Sequence, residues 1–364
     1  MTMTHLKREH IEALIEKVIQ GLQNLTITIE EDTPVSIISM NQWDWSQGVA
    51  LFSLYLYYKE TGNRSILHYL SEWFDHRIRE GLPPKNVNTM CPMLTLSYLY
   101  EETRRPDYLE ICEEWVCYAV DEMPRTPEFG IPHLTLESCS DDQLRDDTLY
   151  MTVLFIGRMG VMLRRDYYIQ ESIRQFLVHQ KYLADKKTGL FYHGWSFIHQ
   201  HNFAGAFWGR GNAWYMAGLV DFLDMVRPPM GIEMFLLSSL ERQIQALHML
   251  QTANGLWRTI LNDETAYEET SATAGFAYGI LKAVRKGYIS EDYRETGLRA
   301  LFAVIEKIDS SGIVQGVSYG TRIGWTLEFY KKIPQCPTPY GQSMTLLMLV
   351  ECLQHFDEQG LYEC

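Results

Sequence analysis

Asp147 stands directly before Thr148-Leu149-Tyr150-Met151-Thr152-Val153-Leu154-Phe155, an apolar stretch suited to the inside of a folded chain. A carboxyl there loses water, which favours its neutral form. It can then hold a proton near neutral pH and act as a general acid or base. Asp147 and Met151 lie at i, i+4 and share one side of a helix. A simpler reading is that any Asp at a helix start is favoured by capping and the helix dipole. That reading explains Asp141, Asp142 and Asp146 better. A second cluster, Phe207-Trp208-Gly209-Arg210-Gly211-Asn212-Ala213-Trp214, sets an Arg and an Asn between bulky aromatic residues. Arg offers a planar fork of donors to a carboxylate, and Trp offers a wide rigid face to a sugar ring. Buried without partners, the Arg and the Asn would each cost on the order of 1–3 kcal/mol. The cluster is therefore an anion-clamping sugar site, or a crowded helix start with Trp in the core and Arg on the rim.

Histidines gather between these two clusters, at His193, His199 and His201. His199 and His201 are not a helical i, i+4 pair, and no carboxylate accompanies them at a ligand spacing, so no metal is expected. His193, beside Tyr192 and Trp195, reads either as a hydrogen-bonding pocket residue or as a solvated loop histidine.

The elements that position these residues read as helical throughout. Candidate helices run near 6–24, 44–61, 65–80, 88–103, 107–122, 143–161, 166–182, 209–226, 232–252, 268–287, 289–308 and 340–356. Links after the even-numbered helices are short. Those after the odd ones are mostly long: 25–43, 123–142, 183–208, 253–267 and 309–339, with 81–87 the exception. Alternating helices return to the same end, so one end collects the long loops, where function usually resides. Tyr58-Lys59-Glu60-Thr61 echoes as Tyr100-Glu101-Glu102-Thr103, each closing a helix before a short turn. Six such hairpins closed into a ring give an all-α fold, an (α/α)6 barrel, with the even helices inside. An open solenoid is the alternative. No linker divides residues 1–364, so a single domain is expected.

Composition narrows the function. The chain carries a formal net charge of −14 with no basic run, which argues against nucleic acid as a partner. Aromatic residues make up 13%, with 9 Trp and 22 Tyr, as suits sugar binding or a bulky helical core. No stretch reaches the ~18–20 apolar residues of a membrane span. The first ten residues lack the apolar core of a signal peptide, and the 7 cysteines are odd in number and scattered, so a cytoplasmic protein is expected. Neither a P-loop nor GxGxxG occurs, and no cofactor is expected.

Several segments together resemble the unsaturated rhamnogalacturonyl hydrolases, glycoside hydrolase family 105, which are related to the unsaturated glucuronyl hydrolases of family 88. They are Asp147-Thr148-Leu149-Tyr150-Met151, Gly189-Leu190-Phe191-Tyr192-His193-Gly194-Trp195, Trp208-Gly209-Arg210-Gly211-Asn212-Ala213-Trp214, Glu269-Thr270-Ser271-Ala272-Thr273-Ala274 and Pro339-Tyr340-Gly341-Gln342. The resemblance implies an (α/α)6 barrel that removes the unsaturated galacturonyl residue from the non-reducing end of rhamnogalacturonan fragments. It implies hydration of the C4=C5 double bond by a single Asp, in place of a two-carboxylate displacement. By position that Asp is Asp147. His193, Trp208, Arg210 and Trp214 fall at sugar-binding positions, and Trp45, Asn88, His133 and Met151 complete the expected substrate-binding set. The implied partner is a small oligosaccharide with an unsaturated uronyl end, acted on by a monomer or homodimer. Two positions depart from the family. Asn88 stands where a second pocket carboxylate is expected, and Arg145 stands where related enzymes tend to have Trp. A sugar epimerase on the same barrel, or a non-catalytic carbohydrate-binding helical protein, are the competing functions. An epimerase needs a second well-placed histidine, and a binding protein would tolerate loss of Asp147.

Overall fold

The computed structural model describes residues 6–25, 39–135, 141–357 and 360–361. Cys139, Cys364, the start of the chain and parts of the 25–43 and 123–142 links lie outside the described residues. Six long helices form an inner ring: α2 (Trp45–Thr61), α4 (Cys91–Thr103), α6 (Leu154–Leu163), α8 (Gly209–Val226), α10 (Thr270–Arg285) and α13 (Pro339–Leu353). Each packs on the next, and α13 packs back on α2, so the ring closes and the open solenoid is excluded. The outer helices are α1 (Arg8–Gln23), α3 (Arg64–Glu80), α5 (Pro106–Cys117), α7 (Asp166–Leu183), α9 (Met230–Leu250) and α11 (Arg294–Ile305). The first of them, α1, packs on the last inner helix, α13. This is the expected (α/α)6 barrel.

The two rings differ in the way their sequences predict. Outer helices bury one stripe, as α1 does with Ile11, Ile15, Val18, Ile19 and Leu22 at helical spacing. Inner helices are buried over most of their circumference, and every residue of α13 is buried. The echo at Tyr58–Thr61 and Tyr100–Thr103 is a repeated helix ending. Thr61 and Thr103 each donate their hydroxyl to the carbonyl four residues back, 2.8 and 2.7 Å away. Gly62 and Arg104 then leave the helix in the left-handed conformation.

The sixth expected helix, 143–161, is broken at its start. Gln143–Arg145 is a strand, β1, paired antiparallel with β2 (Gly194–Ser196). Leu149–Val153 coils as a π-turn before α6. Such wide turns favour functional positions. The 309–339 loop contains a short helix, α12 (Leu327–Lys331), capped by the Thr326 hydroxyl. Backbone pairs then run round the mouth from one helix start to the next. Val87 N–H bonds the Leu134 carbonyl, His133 N–H bonds Gln143, Asp146 N–H bonds His193, and His193 N–H bonds Ala206. Trp208 bridges to Ile260, β3 (Trp257–Arg258) pairs with β4 (Glu268–Glu269), and Thr270 N–H reaches Gly316. The long loops are thus a stitched collar around one end of the barrel.

Candidate active site

The collar brings the two sequence clusters together. β1 leads straight into Asp146 and Asp147, and β2 follows straight after His193. The pairing of Arg145 with Gly194 therefore places these carboxyls beside that histidine. His133 approaches from the other side. Its Nδ1 lies 3.1 Å from Asp147 Oδ1 and 2.9 Å from Thr148 Oγ1. Met151 is buried one turn on, with its N–H on the Asp147 carbonyl at 3.1 Å. Asn88 follows Val87, whose carbonyl accepts from the Thr152 hydroxyl at 2.9 Å. The Asn88 side chain is partly exposed.

The charge states differ from those expected. Burial does push the Asp147 carboxyl toward its neutral form, but His133 outweighs it, with help from His193 and Arg145. Asp147 therefore sits below the ordinary carboxylate range. The raised carboxyl is Asp146. It is fully buried, and neither of its oxygens has a hydrogen-bond partner among the described residues. Burial, and then the charge of Asp147, hold it well above the usual range. Gly211 makes room for it: a Cβ there would lie 2.0 Å from Asp146 Oδ2. Asp146 read in sequence as a capping residue; its environment is that of a buried neutral acid.

His193 is buried, and desolvation pushes it down to about 3. Its Nδ1 lies 2.7 Å from the Tyr330 hydroxyl, which accepts the Gly324 N–H at 3.0 Å. A hydroxyl that donates to Nδ1 leaves the proton of the neutral imidazole on Nε2. That Nε2 is buried without a partner among the described residues and is open to a ligand. Tyr330 belongs to α12 and was missed as a functional residue. The cap at Thr326 is the signal by which the sequence could have revealed its helix.

Phe207–Trp214 proves to be two things at once. Asn212 and Phe191 exchange hydrogen bonds like paired strand residues: Asn212 Oδ1 accepts the Phe191 N–H and its Nδ2 donates to the Phe191 carbonyl, both at 2.8 Å. Asn212 thus fixes the segment that carries His193. Arg210, only 1% exposed, spends its Nη donors on the 318–321 loop. Nη1 bonds the Ser318 carbonyl at 2.9 Å, and Nη2 bonds the Tyr319 carbonyl at 3.1 Å and Thr321 Oγ1 at 2.9 Å. Glu269 stands 3.9 Å from Nη1 and also accepts the Ser318 N–H at 2.9 Å. The expected two-pronged clamp is therefore corrected. Nε alone is without a partner among the described residues, so Arg210 has one N–H left to offer. Its guanidinium lies between the rings of Trp208 and Tyr340, 4.8 Å from each.

This stack is one arc of the pocket wall. Trp45 lies on Tyr340 with centroids 4.7 Å apart, and Trp208 lies 4.3 Å from the His193 ring. Below it, Trp214 meets the edge of Trp45 at 6.1 Å and packs on Tyr150 at 4.9 Å. Trp214 and Trp208 are almost wholly buried, whereas Trp45 is partly open. The structure therefore gathers Trp45, Asn88, His133, Asp147, Met151, His193, Trp208, Arg210 and Trp214 at one mouth of the barrel.

A closed double ring of helices, with a carboxyl, two histidines and aromatic walls at one mouth, has the architecture of the (α/α)6 carbohydrate-active enzymes. The family description that matches is Glycosyl Hydrolase Family 88, over residues 18–356, and the chain belongs to that family. It is 32% identical over 315 residues to the unsaturated rhamnogalacturonyl hydrolase YesR of Bacillus subtilis (strain 168), a match covering 86% of this chain and 90% of that protein. A possible member of the GH105 family from Salmonella enterica subsp. enterica serovar Paratyphi A str. ATCC 9150 superposes with a TM-score of 0.94 at 41% identity, covering 98% of this chain and 97% of the other. The unsaturated glucuronyl hydrolase from Bacillus sp. GL1 shares the fold, with a TM-score of 0.71 at 13% identity over 95% and 96% of the two chains.

Proposed function

We propose that this glycoside hydrolase removes the unsaturated galacturonyl residue from the non-reducing end of rhamnogalacturonan fragments. Likeness to the Bacillus subtilis enzyme supports the substrate. The observation that carries the chemistry is the grouping of Asp147 with His133 and the open Nε2 of His193, beside a wall of aromatic rings. In this reading Asp147 delivers a proton to C4 while water adds its oxygen to C5 as a hydroxyl, and the proton that water sheds returns to the Asp147 carboxylate. The hemiketal formed at C5 opens to a ketone and returns the ring oxygen to C1 as a hydroxyl. The hemiacetal left at C1 then breaks down and releases the neighbouring sugar.

Asp147 must gain a proton for this. Substrate binding supplies the reason, because a uronate brings a second negative charge and displaces water, and both raise a neighbouring carboxyl. Arg145, whose charge already acts on Asp147 and Asp146, is the cation we assign to the incoming carboxylate. His133 and His193 orient the sugar, with Arg210 Nε as a further donor, and Trp45, Trp208 and Trp214 hold its ring. Asn88 takes a hydroxyl, where a carboxylate is common in the family. We further propose a single catalytic domain over 1–364, working in the cytoplasm as a monomer or homodimer on small oligosaccharides without a cofactor. The test is incubation with a panel of unsaturated disaccharides while the absorbance of the conjugated double bond is followed. Unsaturated galacturonyl-rhamnose should lose that absorbance fastest. An unchanged absorbance across the panel would overturn the proposal.

A further inference from the structure

Beside the site, the rim carries an aromatic group that the chemistry above does not use. Trp325 is 60% exposed, yet its indole is held on several sides. His199, His201 and Phe203 stand nearly perpendicular to it, with centroids 6.0, 5.5 and 5.2 Å away. The two histidine rings lie parallel at 5.5 Å. The Phe203 N–H donates to His201 Nδ1 at 2.9 Å and fixes that ring.

The loop that presents these rings adopts a costly shape. Gln200 and Phe203 both lie in the left-handed region, at φ 54° and 53°. Each such non-glycine residue costs on the order of 1 kcal/mol, and strain of this kind gathers at ligand sites. The loop is nonetheless well anchored. Ser196 bridges to His201, and the Ser196 hydroxyl donates to Asp142 Oδ2 at 2.6 Å.

The platform is continuous with the proposed active site. Gly324, the residue before Trp325, donates its N–H to the Tyr330 hydroxyl that holds His193. Its carbonyl accepts the Ala204 N–H at 3.3 Å, which ties the two loops together. Trp325 therefore stands one residue outside the pocket wall, on the open side of the barrel. The groups seen to support it are rings, so the face it offers suits a neutral pyranose with an apolar C–H side.

We propose that Trp325, buttressed by His199, His201 and Phe203, is the stacking platform for the neutral sugar next to the cleaved bond, the one that leaves. This rests on the function proposed above. The test compares two substrates with the same unsaturated galacturonyl group, one linked to rhamnose and one to methanol. Trp325→Ala lowers the ratio of kcat/KM for the disaccharide over the methyl glycoside by about tenfold, the scale of one aromatic contact. The loss falls mainly in KM, and Trp325→Phe restores most of it. An unchanged ratio, with both substrates affected equally or not at all, overturns the platform while leaving the function standing. A wild-type enzyme that turns over neither substrate overturns the function and the platform together.

Discussion

Both ends of the barrel bury pairs of opposite charge, in direct contact at the closed end and, for Arg210 and Glu269 at the mouth, 3.9 Å apart. At the closed end, among the C-terminal halves of the inner helices, Asp221 lies 2.6 Å from Lys282 Nζ and also accepts from the Tyr278 hydroxyl. Glu351 takes Arg285 Nε at 2.6 Å and Nη2 at 2.7 Å, a two-pronged pair. Arg158 pairs with Glu101 while its guanidinium sits 3.9 Å above the Tyr98 ring. A hollow of about 290 Å³ opens among these groups, lined in part by Tyr98, Arg158, Asp221 and Lys282. The closed end leaves Asp221 Oδ2 and Arg158 Nε without hydrogen-bond partners among the described residues, but each of those side chains is paired through another atom. At the mouth, by contrast, neither oxygen of the buried Asp146 has a partner among those residues, and His193 keeps an open Nε2. A pair of opposite buried charges is explained by folding alone. Buried polar groups left open in a cleft are explained by a ligand.

The largest effect that sharpens this contrast is at the closed end. Lys282→Met leaves Asp221 buried without its cation, and it should cost about 3–5 kcal/mol in urea unfolding. The kcat of the folded protein should stay within about twofold, because the proposed site lies at the other end. A collapse of kcat with stability intact would mean that the closed end takes part in the reaction.

A smaller effect separates the mouth by pH. His193 is held down to about 3 by burial, whereas an unfolded histidine titrates near 6.5. Below about 6.5 the unfolded chain binds a proton that the folded chain refuses, so the stability that His193 contributes is full above that pH. It falls as pH drops toward the folded value. Wild type should therefore lose about 1.4 kcal/mol per pH unit between about pH 6 and 4 that His193→Gln does not lose. Parallel stability curves for the two proteins would show that His193 is not held neutral.

Much of this was legible in the sequence, for a physical reason. An inner helix must be buried over most of its circumference and an outer one along a stripe, so helix number, ring order and the crowded mouth follow from periodicity and loop length. The mouth's finer structure did not follow. β1 and β2 are too short to show a period of two, and what holds them is pairing across some fifty residues of chain. Arg210 shows the second limit. Its residue type suggests a free anion fork, but Ser318, Tyr319 and Thr321, which occupy that fork, are about a hundred positions away. Asp146 and Asp147 show the third. They are adjacent and alike in sequence, and only their surroundings part them: burial and then the charge of Asp147 hold Asp146 up, while His133 outweighs burial and holds Asp147 down.

The most direct test of the account is turnover of unsaturated galacturonyl-rhamnose by Asp147→Asn. The side chain keeps its shape but can no longer deliver a proton, and kcat should fall about 10²–10⁴-fold with the fold intact. Retention of wild-type turnover by the folded variant would contradict the assignment of the proton to Asp147, and with it the reading of the mouth as the catalytic end.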